Sequence, residues 1–380
     1  MEILHNAGST SIIDKWSKAQ MAIEGGFDLV IELPTVYAIS SAENFADGAV
    51  KILNSMKIVD YLSFGTETQD YNSLDKIATI LYNEPREYKN ILQHELKKGL
   101  SFPKARQNAL MMYLNDIRNY AKLLSSPNNI LGIEYIKALK KYNSNIVPYP
   151  IQRFESEYHS NKINGNIASS TAIRNIIKND NLPILRKLMP DSSFSILIDN
   201  LKTGHIVPDL STFEKIIIHN LRKMSIDEIH MLPDVSEGLE NSIKNAANSC
   251  NNIIDFLNII KSKRYTSTRL QRILLYSLLN ITKKEMDISK KITPYIRVLG
   301  FNNKGKLLIS EIAKANPKLD IITSVKKYID ISNNKNNKIL LEKDIWATNV
   351  YTIGYEDDSW SNLDYTHKII NIERVIINYF

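Results

Sequence analysis

Between residues 27 and 178 short apolar runs alternate with stretches of helical period, and this alternation predicts an α/β fold. The run FDLVIEL at 27–33 reads as a buried strand stopped by Pro34. Ser40 and Glu43 form a capping-box signature, followed at helical spacing by Ala42, Phe45, Ala46, Ala49, Val50 and Leu53. A second strand is predicted over 58–64, ending at Gly65, and a long helical region over 73–124. After the polar turn 125–129 come a helix over 130–141 and a strand over 146–151. Gly65, Asn128, Asn129 and Arg153 then fall on the carboxyl edge of a parallel sheet, where open α/β sheets bind ligands.

From about residue 185 the strand signal fades. Helices are predicted over 213–221, 227–231, 239–247, 253–260, 267–279 and 307–315, punctuated by Pro208, Pro233, Pro294 and Pro317. A short β-rich tail is expected over 338–355. The domains are accordingly placed at 1–184 (α/β) and 185–380 (mainly helical, with that tail).

Composition narrows the class of protein. A chain of 380 residues can bury two cores, and 43% hydrophobic with 23% charged residues is ordinary for a globular protein. No apolar run approaches the ~20 residues of a membrane span, and the start resembles no export signal, so no membrane partner and a cytoplasmic location are expected. Cys250 is the single cysteine, which excludes an internal disulfide and a cysteine metal cage; no metal site is expected. The net charge of +7 permits a nucleic-acid partner.

Two segments carry candidate chemistry. Ser169, Ser170 and Thr171 offer hydroxyls and N–H groups where a helix begins, with Arg174 about one turn later and Ile173, Ile176 and Ile177 as its apolar face. Such a start attracts anions. The second segment is KSKRYTSTRLQR at 261–272, where Lys261, Lys263, Arg264, Arg269 and Arg272 surround Tyr265. Arginines and lysines contact phosphates and tyrosine can stack on a base, so RNA contact stands beside a plain solvated helix face. Arg153 could instead pair with Glu155 or Glu157, Gly65 could be only a strand-ending turn, and Asp14 could cap a helix carrying a buried Trp16.

The motifs IIDKW (12–16), FDLVIELP (27–34), SAENFA (41–46), FGTE (64–67), PNNILGIEY (127–135), ASSTAIR (168–174), KRYT (263–266) and RVLGF (297–301) occur in that order. Together they closely resemble the bacterial tRNA(Met) cytidine acetate ligases of the HxGH nucleotidylyltransferase superfamily. The resemblance implies a Rossmann-like nucleotidylyltransferase domain followed by a mostly helical domain. It also implies a ligase that uses ATP, with Mg2+, to make acetyl-AMP from acetate without acetyl-CoA. The acetyl group would pass to the wobble cytidine of elongator tRNA(Met) as N4-acetylcytidine. By that resemblance Arg174 is catalytic, and Gly65, Asn128 or Asn129, Arg153, Ser170, Thr171 and Arg174 bind ATP. Lys263, Arg264, Arg269 and Arg272 contact the RNA.

One departure stands out. No histidine-x-glycine-histidine occurs in the chain, and His5 with Asn6 does not restore it. The α/β domain is therefore expected to be N-terminally truncated and activity to be impaired. Unpaired strand edges and apolar helix faces should be exposed. The alternatives are a non-catalytic tRNA-binding remnant and a small-molecule nucleotidylyltransferase.

Overall fold

A computed structural model describes residues 4–5, 9–153, 168–179, 181–236, 238–357 and 361–373. The site-bearing strands are Tyr61–Thr66 and Val147–Gln152, which pair in parallel with Tyr61 opposite Val147 and Thr66 opposite Gln152. One face of the pair is packed under helices Tyr71–Asn83 and Pro127–Lys141, where Phe64, Leu74, Ile77, Ile133 and Ile136 form a shared core. On the other face Tyr61, Val147, Tyr149 and Ile151 remain exposed, Tyr61 at 66%. Among the described residues no third strand joins this pair. Large apolar side chains are exposed on helices as well, among them Ile254, Leu307 and Trp346.

The strand expected over 27–33 forms as Leu29–Glu32, but it does not join the parallel pair. It runs antiparallel to Ile296–Phe301, with a register shift between Val30 and Ile31. Ile296–Phe301 also pairs in parallel with the short strands Ile321–Ile322 and Ile370–Asn371. The two halves are therefore woven across residue 184. Val36, Tyr37 and Ile39 sit in the same core as Phe213, Leu274, Tyr295 and Leu341.

Several local expectations are corrected. The tail over 338–355 is not β-rich: Lys335–Thr352 is a helix, capped by the Asn334 side chain. Its valine, isoleucine and threonine content suggests strand, yet Leu340, Leu341, Asp344, Ile345, Thr348 and Tyr351 are buried at three- and four-residue spacing. The helical region over 73–124 is four helices (Tyr71–Asn83, Arg86–Lys97, Phe102–Leu114 and Ile117–Ser125) broken at Glu84, Gly99 and Asn115, all at positive φ. The helix Ala42–Met56 is capped by Ser41, while Ser40 bonds the Val36 carbonyl and Glu43 pairs with Lys137. Helix Lys15–Glu24 begins at the cap expected at Asp14. That cap is present: Asp14 accepts from the N–H groups of Trp16 and Ser17, and Trp16 is buried.

Where these elements meet lies a buried charge network. Lys15 contacts Glu32 and Asp364, each at 2.8 Å, and Arg297 contacts Glu32 at 3.0 Å and also Asp364. Asp344 lies beside them, taking the Thr35 N–H at 2.7 Å and the Tyr295 hydroxyl. Lone charges in such a core would be prohibitive, and here each cation faces carboxylates.

Candidate nucleotide site

The parallel pair ends in a tight loop that gathers four of the expected residues. Helix Pro127–Lys141 lies directly on the strand because residue 132 is glycine: a Cβ there would come within 2.8 Å of the Phe64 ring. That contact brings Asn128 and Asn129 to the end of Tyr61–Thr66. Asn129 is buried, and its Oδ1 accepts the N–H groups of Glu67 at 2.8 Å and Thr68 at 3.3 Å. Glu67 answers with its carboxylate, taking the N–H of Asn129 at 2.8 Å, the N–H of Asn128 at 3.2 Å and Asn128 Nδ2 at 2.7 Å.

Arg153 follows immediately from the neighbouring strand, its N–H donating to the Thr66 carbonyl at 2.8 Å. Its side chain lies over Gly65, where a Cβ would approach Arg153 Cγ to 3.3 Å. Its guanidinium reaches Asn128 Oδ1 at 3.4 Å. Gly65, Asn128 and Arg153 thus form one partly open polar edge. Asn129 is committed beneath it to the Thr66–Thr68 turn. Glu155 and Glu157 lie outside the described residues.

The other anion-binding candidate is built as a helix start. Ser169 caps helix Ser170–Lys178 by accepting the Ala172 N–H at 3.0 Å. The side chains of Ser170 and Thr171 lie outside the described residues. Arg174 is half-buried and donates to the Thr10 carbonyl at 2.8 Å. The next residue, Ser11, has its carbonyl held by the Tyr351 hydroxyl at 3.0 Å. Burial is what pushes the Tyr351 phenol well above its ordinary pKa, with Tyr355 and Asp14 adding to it and Arg174 opposing. His5 has no described side chain.

The basic segment divides in two. Arg269 donates to the Asp234 carbonyl and to Ser236 Oγ, each at 2.9 Å, and stacks over the Tyr265 ring. Arg272 is bound to the Asp234 carboxylate at 2.8 Å and is largely covered. These two arginines are spent on the 234–236 turn. Lys261, Lys263 and Arg264 are exposed ahead of helix Ser267–Leu279. Among the described residues, no group of three or more His, Cys, Asp or Glu could cage a metal ion, and no helix is long and apolar enough to cross a membrane.

Glu67 and Thr10 were missed by sequence reasoning. Glu67 lies inside the FGTE motif, so the signal was present, but only the fold brings its carboxylate to the start of another helix.

A parallel strand pair with a helix start and polar loop at its carboxyl end is a ligand-binding edge of an α/β fold, and the class of protein that carries it here is the nucleotidyl transferases. The family model described as HIGH Nucleotidyl Transferase matches residues 6–364. Within that class the chain belongs to the tRNA(Met) cytidine acetate ligase family. A relative of that name from a Thermoanaerobacter species is 46% identical over 369 residues, 96% of this chain and 89% of the relative. Another, from Acetivibrio thermocellus, is 40% identical over 371 residues. The crystal structure of apo Thermotoga maritima TmcAL superposes with a TM-score of 0.93 at 32% identity, covering 98% of this chain and 91% of that one. The same enzyme bound with alpha-thio ATP superposes at 0.90.

Proposed function

We propose that this chain uses ATP to activate acetate and acetylates the wobble cytidine of elongator tRNA(Met) in the cytoplasm, with no role for acetyl-CoA. An acetate oxygen attacks the α-phosphorus, the bond to the β-phosphate oxygen breaks, and pyrophosphate leaves. The N4 amine of cytidine then attacks the acetyl carbonyl, losing a proton as AMP departs. Negative charge accumulates on the phosphates in the first step, and fixed cations and N–H donors lower its barrier.

The observation that carries this reading is the convergence of Gly65, Asn128 and Arg153 at the carboxyl end of the parallel pair. In it Gly65 allows close approach of the nucleotide, and Asn128 and Arg153 contact the nucleoside. Arg174, with the N–H groups at Ser170 and Thr171, faces the phosphates. Mg2+ would arrive on ATP, held mainly by phosphate oxygens. Lys261, Lys263 and Arg264, beside Tyr265, would meet the tRNA backbone.

The test is exchange of labelled pyrophosphate into ATP, run with and without acetate, followed by mass spectrometry of tRNA(Met) for acetylcytidine. Acetate-dependent exchange is expected. Binding of tRNA with no exchange would instead identify a non-catalytic remnant. Exchange that ignores acetate would point to a small-molecule nucleotidylyltransferase.

A further inference from the structure

Helix Pro127–Lys141 has an unusual cap. Its N-cap residue, Ser126, makes no side-chain hydrogen bond to the helix, and Pro127 has no N–H to offer. The next two N–H groups, of Asn128 and Asn129, both go to the carboxylate of Glu67, which comes from the preceding strand end. A helix start of this kind carries a partial positive charge and would ordinarily draw a phosphate. Here a protein carboxylate already fills that place.

The same carboxylate sets a side chain. Asn128 Nδ2 donates to Glu67 Oε1 at 2.7 Å, so the amide has one orientation and Oδ1 is turned toward Arg153. In return the Asn129 amide holds the Glu67 and Thr68 backbone, which keeps the carboxylate from swinging away. Its own Nδ2 is tied to the Leu123 carbonyl at 3.3 Å. Each partner is locked by the other.

We infer that Glu67 is a positioning residue that presets Asn128 and Arg153 and reserves this edge for the uncharged nucleoside end of the nucleotide. Its negative charge offsets Arg153 and quenches the helix pole, so a triphosphate gains little by lying here. The phosphates are left to the helix start at Ser169–Arg174, whose cap is a neutral serine. The inference rests on the nucleotide reading above and adds to it a role for a residue that contacts no substrate.

The test measures adenosine, tripolyphosphate and ATP binding separately by calorimetry, on the full chain and on Glu67→Gln. The variant keeps the size of the side chain but removes the charge and one acceptor. Adenosine affinity should fall about tenfold, the effect of one lost charge-assisted hydrogen bond, while tripolyphosphate affinity stays level or rises. In pyrophosphate exchange the KM for ATP should rise more than kcat falls. Equal weakening of adenosine and tripolyphosphate, or no change in adenosine, overturns the proposal. Asn128→Ser keeps the Glu67 cap and removes only the amide, so it should reproduce the adenosine loss with an unchanged Tm. If Glu67→Gln does not fold, that variant decides, and unaltered adenosine binding in it is fatal. Should the unaltered chain bind no ATP at all, the nucleotide reading fails first and this inference with it.

Discussion

Lys15 Nζ lies 2.8 Å from Glu32 Oε1 with both side chains closed off from solvent. The pair joins the helix Lys15–Glu24 to the edge strand Leu29–Glu32, and Arg297 and Asp364 complete it from the far end of the chain. Removing one partner leaves an uncompensated buried charge. Glu32→Gln should therefore destabilise the fold by about 3–5 kcal/mol, read as a lower midpoint in denaturant titration. A loss near zero would show that the network is dispensable.

Asp344 gives the stability a pH dependence of definite sign. Burial, aided by Glu32 and opposed by Lys15, Tyr295 and the Thr35 N–H, pushes its carboxyl up to about 7. An unfolded aspartate ionises near about 3.9. Between those values the folded chain holds a proton that the unfolded chain has lost, so this contribution declines as pH rises through that window. Asp364 has the opposite sign. Burial raises its carboxyl, but Lys15 and Arg297 outweigh burial and hold it at about 2, so its contribution disappears only as pH falls below about 4. Asp344→Asn removes the first effect alone. Its Tm relative to the unaltered chain should climb by a few degrees between about pH 5 and pH 8. A constant difference across that range refutes the assignment.

Gly65 and Arg153 make a steric prediction. A side chain at 65 meets Arg153 Cγ and Cδ at 3.3 and 3.5 Å. Valine suits a strand, so Gly65→Val should fold normally while displacing the arginine and filling the edge. ATP affinity should drop about tenfold with Tm little changed. Titration showing full affinity would move the nucleotide elsewhere.

The basic segment predicts two different phenotypes. Arg272→Gln breaks the pairing with Asp234 and should cost about 1–2 kcal/mol of stability with the salt dependence of tRNA binding unchanged. Neutralising Lys261, Lys263 and Arg264 together should leave Tm alone and flatten the log–log salt slope by about 2–3. Gel-shift titrations over a salt series distinguish them; identical slopes would remove the loop from the RNA surface.

What was legible beforehand was local. Run length, turn residues and caps marked the strands near 61–66 and 147–152 and the helix over 267–279, because each rests on neighbours in sequence, whereas the convergence of Gly65, Asn128 and Arg153 followed only from placing those strands in one parallel sheet. The Lys335–Thr352 tail was misread because β-branched composition outweighed its spacing.

By itself, then, the order of apolar runs and motifs determined an α/β fold rich in helix and the family to which the chain belongs. Tertiary structure decided that Leu29–Glu32 pairs with Ile296–Phe301, that Lys15, Glu32, Arg297, Asp344 and Asp364 share one buried interior, and that Glu67 caps a helix. The reason is physical. Periodicity reports which face of an element is buried, whereas a charged residue reads as surface until its counter-charge, hundreds of positions away, is folded against it.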